Sequence, residues 1–192
     1  MKKISSLVLL FLTSFCFASD EVTPASARID LAEKSTGFVG GMLAGLAFHE
    51  LGHEAMAGIE GANMHWNGLN WRTKASHQAL RNIAISGFGA QVLSTEVLLD
   101  VKSIPKNNSF VIGWLTCNIL NTLQYVAQDR LCGGGVGDFR CLRKNGMNVG
   151  YIEAGLVAHS LFSAYRLNKN SSFVSYVSLT RNEFILGFKG TF

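Results

Sequence analysis

His49-Glu50-Leu51-Gly52-His53 sits inside a stretch of small and apolar residues from about Thr36 to Ile59, and it constrains the chain more than any other feature. Two histidines at this spacing project from one face of a helix, where they can hold one metal ion together. Glu50 lies beside them, placed to take a proton from a water at the metal. A chance match of so short a pattern is the ordinary alternative. Against it, two imidazoles and a carboxylate in an apolar helix are costly without a ligand. The metal expected is zinc, which brings the pKa of its water near 7. Gly40, Gly41, Ala44, Gly45, Gly52, Ala55, Ala57 and Gly58 keep the same stretch slim, so another helix can pack close to it.

Length and composition decide what surrounds this helix. At 192 residues the chain fits one domain with room for a core. Hydrophobic residues make up 48% and charged ones 16%, below the roughly 25% charged of an ordinary soluble domain. The net charge of +4 comes with no basic run interleaved with aromatics, so nucleic acid is not an expected partner. Lys2-Lys3, the apolar run Leu7 to Phe17 and the small-residue exit at Cys16-Phe17-Ala18 read as a secretory signal peptide over residues 1–18. Segment 19–35 then follows as an exported N-terminal piece.

Besides Thr36 to Ile59, three stretches approach the length of a membrane span: Ile83 to Val101, Phe110 to Ala127 and Val149 to Tyr165. Each carries polar groups that should face a bundle interior, such as Gln91, Glu96 and Asp100, then Asn118, Asn121 and Gln124, then Glu153 and His159. A soluble exported all-α domain, periplasmic or secreted, is the competing reading. Basic residues favour the membrane: Arg72, Lys74 and Arg81 fall in one loop, and Arg130, Arg140, Arg143 and Lys144 in another on the same side, with only Lys102 and Lys106 between. That asymmetry puts the loop from Leu131 to Met147 in the cytoplasm and the C-terminal tail outside. Met64-His65-Trp66, Asn67-Gly68 and Leu69-Asn70-Trp71 read as a hairpin closed by an Asn-Gly turn. Alternation around Arg181-Asn182, between Phe173 and Phe192, suggests a second hairpin.

The sequence thus predicts a mainly α chain: a membrane-embedded bundle of about four helices over 36–166, a small β-hairpin after the first helix, and a tail at 167–192 with a possible second β-hairpin. The location expected is the cell membrane, multi-pass, reached by signal-directed export.

A catalytic zinc site needs a third protein ligand and an open position. Asp138 qualifies, because Gly133-Gly134-Gly135-Val136-Gly137 before it lets the backbone approach closely and a carboxylate is a good donor. The ordinary use of such an aspartate is a helix N-cap, with a helical turn beginning at Phe139. Cys132 and Cys141 bracket this loop; a disulfide between them would mark an exported loop, and reduced thiols a cytoplasmic one. His65, His77 and His159 read as structural histidines, Cys117 as a small core residue, and Asn118 and Asn121 either as lining for a substrate strand or as bridges between helices.

His49-Glu50-Leu51-Gly52-His53-Glu54-Ala55 on its small-residue helix resembles the first catalytic helix of the site-2 protease family of intramembrane zinc metalloproteases. The hairpin after that helix is similar to the family's small β element. Ser86-Gly87-Phe88-Gly89-Ala90-Gln91 stands where the family has Gly-Pro-x-x-Asn, with the proline missing and glutamine in place of asparagine. Gly137-Asp138 falls at the distance of the family's Leu-Asp-Gly motif, whose aspartate is the third zinc ligand, although Phe139 replaces the glycine after it. The resemblance covers about residues 36–145 and implies a membrane zinc metalloprotease. Its metal ligands would be His49, His53 and Asp138, its catalytic residue Glu50, and its partners a lipid bilayer and a protein or peptide substrate, which could be a transmembrane segment. A rival resemblance is to the soluble gluzincins, through Glu96 and Asp100: there Glu96 would bind zinc and Asp100 would orient a histidine. A non-catalytic zinc-binding membrane protein is the third possibility, and an intact Glu50 counts against it.

Overall fold

The computed structural model describes residues 25–66, 71–131, 137–171, 173–179 and 184–190. The chain divides into two compact units, 1–32 and 33–192, and the second holds the apolar clusters and the site residues described below. The expected signal peptide and Cys16 lie outside the described residues.

The chain is mainly helical. Helix α1 covers Ala25–Ile59, α2 His77–Asp100, α3 Ser109–Leu131, the short α4 Gly137–Lys144 and α5 Val149–Asn170. The boundary expected at residue 36 therefore falls inside one continuous helix. Each expected apolar stretch falls on one of the long helices, which extends it by several residues at one end, and polar residues cap the starts of three of them. Ser76 Oγ accepts from Ala79 N at 3.1 Å to start α2, Asn108 Oδ1 accepts from Phe110 N at 2.9 Å to start α3, and Asn148 Oδ1 accepts from Gly150 N at 3.1 Å to start α5. The two helices that carry the site residues His49, His53 and Asp138 end alike. At α1, Gly61 has φ +64° while Gly61 N donates to Gly58 O and Ala62 N to Ala57 O. At α4, Gly146 has φ +84° while Gly146 N donates to Arg143 O and Met147 N to Leu142 O. Both are Schellman closures, which need a residue at ease in the left-handed region.

Two antiparallel hairpins complete the fold: β1 Met64–Trp66 with β2 Trp71–Thr73, and β3 Phe173–Leu179 with β4 Phe184–Gly190. The first departs from expectation in register. Trp66 pairs with Trp71, so four residues separate the strands, where an Asn67-Gly68 turn of two residues would have paired Trp66 with Leu69. The connecting residues of both hairpins lie outside the described residues.

Two apolar clusters hold the helices. One gathers Phe38 of α1, Leu99 of α2, Val111, Ile112, Leu115 and Ile119 of α3 and Leu167 of α5. The other joins Ala84 and Phe88 of α2, Phe139 and Leu142 of α4, and Val149 and Leu156 of α5. Between α1 and α3 the backbones touch: a Cβ on Gly41 would lie 1.9 Å from Phe110 O, and one on Gly113 would lie 2.0 Å from Phe38 O. The slim face expected of the first helix is used here and at Gly45 and Gly52, while Gly58 faces open space. By length and hydropathy one helix among the described residues, α2, could cross a membrane, where four were expected. Polar residues such as Glu50 and Glu54 in α1 and Asn118 and Asn121 in α3 dilute the apolar character of those helices.

Candidate metal centre

His49 and His53 lie one turn apart on α1 and are both buried, at 2% and 5% exposure. Each ring is fixed by its Nδ1. His53 Nδ1 donates to the backbone carbonyl of Ile83 at 2.6 Å, and His49 Nδ1 donates to Gln91 Oε1 at 3.0 Å, both acceptors on α2. A neutral imidazole that donates through Nδ1 keeps a bare lone pair on Nε2. The two Nε2 atoms face each other at 3.0 Å.

Asp138, in the first turn of α4, completes the group. Its Oδ2 is 3.3 Å from His49 Nε2 and 3.5 Å from His53 Nε2. That oxygen is buried without a hydrogen-bond partner among the described residues. Burial alone would raise the Asp138 carboxyl; protonated imidazoles, the state that competes with a metal for the Nε2 lone pairs, hold it down at about 2. The helix begins at Gly137, so Asp138 lies inside its first turn and not at the cap position, and its carboxylate belongs to the possible metal-binding group.

These three atoms form a possible metal-binding group. Tetrahedral ligands at about 2.0–2.1 Å from zinc stand about 3.3 Å apart. The separations of 3.0, 3.3 and 3.5 Å bracket that value. Two lone pairs and a carboxylate oxygen converging in a buried space repel one another unless a cation lies between them. The residues therefore fit a divalent metal with an open fourth position.

The surroundings keep the group in place. A Cβ on Gly87 of α2 would lie 2.5 Å from His53 Nε2 and 2.7 Å from His49 Cε1, so the helix backbone itself forms one wall. Phe88 meets His49 edge-on at 5.5 Å and stacks on Phe139 at 5.0 Å, tying α1, α2 and α4 together. Under α4, both arms of the Arg143 guanidinium pair with Asp129 of α3, and Glu153 Oε1 of α5 lies 3.4 Å from Nη2. Arg130 pairs with Glu153 in turn, and Asp129 and Glu153 are both buried. Glu50 is exposed beside His49, and its charge reaches His53 and Tyr125.

Glu96, the rival ligand, is engaged elsewhere. Its carboxylate accepts from His159 Nε2 at 2.8 Å and from Arg166 Nη1 at 2.7 Å, and Arg166 also pairs with Asp100. The Glu96–Asp100 spacing thus serves a salt-bridge network between α2 and α5. Asn118 is a bridge, its Nδ2 lying 2.9 Å from both Ser94 Oγ and Thr95 Oγ1 on α2. His77 bonds Asn145 at 2.6 Å, and His65 is exposed on β1. Cys117 is buried and Cys141 is a free thiol, while Cys132 and the glycines before Gly137 lie outside the described residues.

Three contributors escaped the sequence. Gln91 was visible as a polar residue at the position of a family asparagine, but its bond to His49 was not. Arg143 read only as a loop charge, and Tyr125 carried no signal. No protein-family model, curated protein or solved structure matches the chain.

Proposed function

We propose that this chain is a zinc metallopeptidase of the site-2 protease type, hydrolysing peptide bonds within or beside a membrane. The observation that carries the reading is the convergence of His49 Nε2, His53 Nε2 and Asp138 Oδ2 at tetrahedral spacing, with Glu50 next to the pair. These three residues would hold the metal. When bound, zinc supplies a Lewis acid that acidifies water and polarises a carbonyl. Glu50 takes the proton from the attacking water and returns it to the leaving amine. Gln91 and Ile83 keep both imidazoles in the tautomer that leaves Nε2 available, and Asp138 supplies negative charge from outside α1.

The membrane setting has its own support. Helix α2 is long and apolar enough to span, and large apolar side chains face outward, among them Leu43 and Leu51 of α1, Leu93 of α2 and Leu161 and Phe162 of α5. In this reading the loop between α3 and α5, which contains α4, faces the cytoplasm, as the lysine and arginine distribution predicts.

Purified wild type and Glu50→Gln, compared for zinc content and for cleavage of casein and of a transmembrane peptide, test the proposal. Both proteins should hold zinc, and only wild type should cut. Equal cleavage by the two would overturn the role of Glu50. A zinc-loaded wild type inert on every peptide would favour a binding protein.

A further inference from the structure

The aromatic side chain nearest this centre on α3 is Tyr125. Its ring centroid lies 6.0 Å from that of His49, 5.5 Å from Phe88 and 6.3 Å from Phe139, with the last two contacts edge-on. Side chains from α1, α2 and α4 thus hold one ring. The residue before Asp138 is shaped to receive it: a Cβ on Gly137 would lie 2.8 Å from Tyr125 Cε1 and 3.3 Å from its hydroxyl oxygen. The hydroxyl end therefore reaches the start of α4, beside the third metal-binding residue. The charges of both Asp138 and Glu50 act on it.

A phenylalanine would fill the same space. What the tyrosine adds is one polar O–H held at the start of α4 by the packing of its ring. A donor fixed by packing beside a metal centre suits a negative charge that exists only during reaction.

We propose that Tyr125 is a catalytic residue of this site, its hydroxyl donating a hydrogen bond to the oxyanion formed when a scissile carbonyl is attacked. This rests on the peptidase reading. The water oxygen forms a bond to the carbonyl carbon as Glu50 takes the water proton, and the carbonyl π pair moves onto oxygen, where the Tyr125 O–H meets it. Collapse of the oxyanion breaks the carbon–nitrogen bond, and Glu50 returns the proton to the departing nitrogen. Tyr125 keeps its own proton throughout, and the products are a carboxylic acid and an amine, with no change of oxidation state.

Tyr125→Phe in the full-length, zinc-loaded protein tests this, since it removes the hydroxyl and keeps the ring. Cleavage of labelled casein should fall about 100-fold in kcat with KM within about twofold. Acetohydroxamate, whose anionic oxygen stands in for the reacting one, should bind about tenfold more weakly by calorimetry, with zinc content unchanged. Wild-type kcat and acetohydroxamate affinity in the variant would overturn the assignment. So would a joint loss of zinc and melting temperature, which would mark the hydroxyl as structural. The calorimetric arm needs no turnover, so it still judges Tyr125 if wild type and Glu50→Gln prove equally inactive and the peptidase reading itself fails.

Discussion

Gly87→Ala is the sharpest perturbation of the metal centre, because it adds one methyl group where the wall of α2 meets both imidazoles. On an ordinary helix this change stabilises by about 1 kcal/mol. Here the new Cβ would lie 2.5 Å from His53 Nε2 and Cε1, whereas ordinary contact begins at 3.4 Å. The ring must therefore retreat by about 0.9 Å, several times the roughly 0.2 Å tolerance of a zinc–nitrogen bond. Overpacking of this kind costs about 1–3 kcal/mol, enough to cancel or reverse the helix gain. Displaced ligands should weaken zinc by roughly 10–100-fold, as other losses of ligand orientation do. Gly89→Ala provides the control two residues along the same helix, since nothing lies within 4 Å of its new Cβ. It should keep wild-type zinc affinity and melt slightly higher. Zinc competition against a chromophoric chelator, with thermal unfolding followed by circular dichroism, reads both effects. Wild-type zinc affinity in Gly87→Ala, or an equal loss in Gly89→Ala, would refute the packing of α2 against the histidines.

Three further outcomes follow from the same geometry. Purified protein should carry about one zinc per chain, lost in His49→Ala, His53→Ala and Asp138→Ala but kept in Glu96→Ala, as metal analysis would show. Gln91→Leu removes the acceptor for His49 Nδ1 and should lower zinc affinity about 10–100-fold in competition titrations while the helical circular dichroism persists. Arg143→Met leaves Asp129 buried without its main partner and should cost about 3 kcal/mol in denaturant unfolding, with metal loss as the secondary effect. Burial would raise the Asp129 carboxyl, but Arg143 and Glu153 outweigh it and hold it below the ordinary 3.8. Since the folded value is the depressed one, this stabilisation is present above about pH 3.8 and fades as acid carries the solution through the lower folded value. Acid titration of wild type should thus show a stability loss in that range that Arg143→Met lacks.

What could be read from sequence was local. His49, Glu50 and His53 declare themselves because ligand pairing on a helix is a matter of four residues and one face. Asp138 was reachable through its glycine context and a family spacing, although the amphipathic pattern of α4, with Phe139 and Leu142 on one face, runs for only eight residues and was read as no more than a turn after a cap. Glu96 and Asp100 show how one spacing can serve two ends. Their spacing equals that of a real ligand pattern, and only the arrival of His159 and Arg166 from α5 assigns them elsewhere. Gln91 and Ile83 likewise meet the histidines from 42 and 30 residues away, and no periodicity encodes that meeting. The Trp66–Trp71 register was missed because an Asn-Gly pair is a strong local turn signal, yet the strands leave a four-residue connection.

The reciprocal notch between Gly41 and Gly113 bears on how a substrate could get in. Each glycine receives a carbonyl of the opposite helix, so sliding α1 along α3 by even one residue, about 1.5 Å, would drive side chains into backbone. Travel along that axis is closed, as in a bolt thrown home. On the proposed peptidase reading, entry of a peptide then has to come from displacements across the bundle, on the side where Asp138 of α4 meets the histidines. A lineage adapting this scaffold to bulkier peptides would accordingly change α4 and its flanks and leave the two glycines alone.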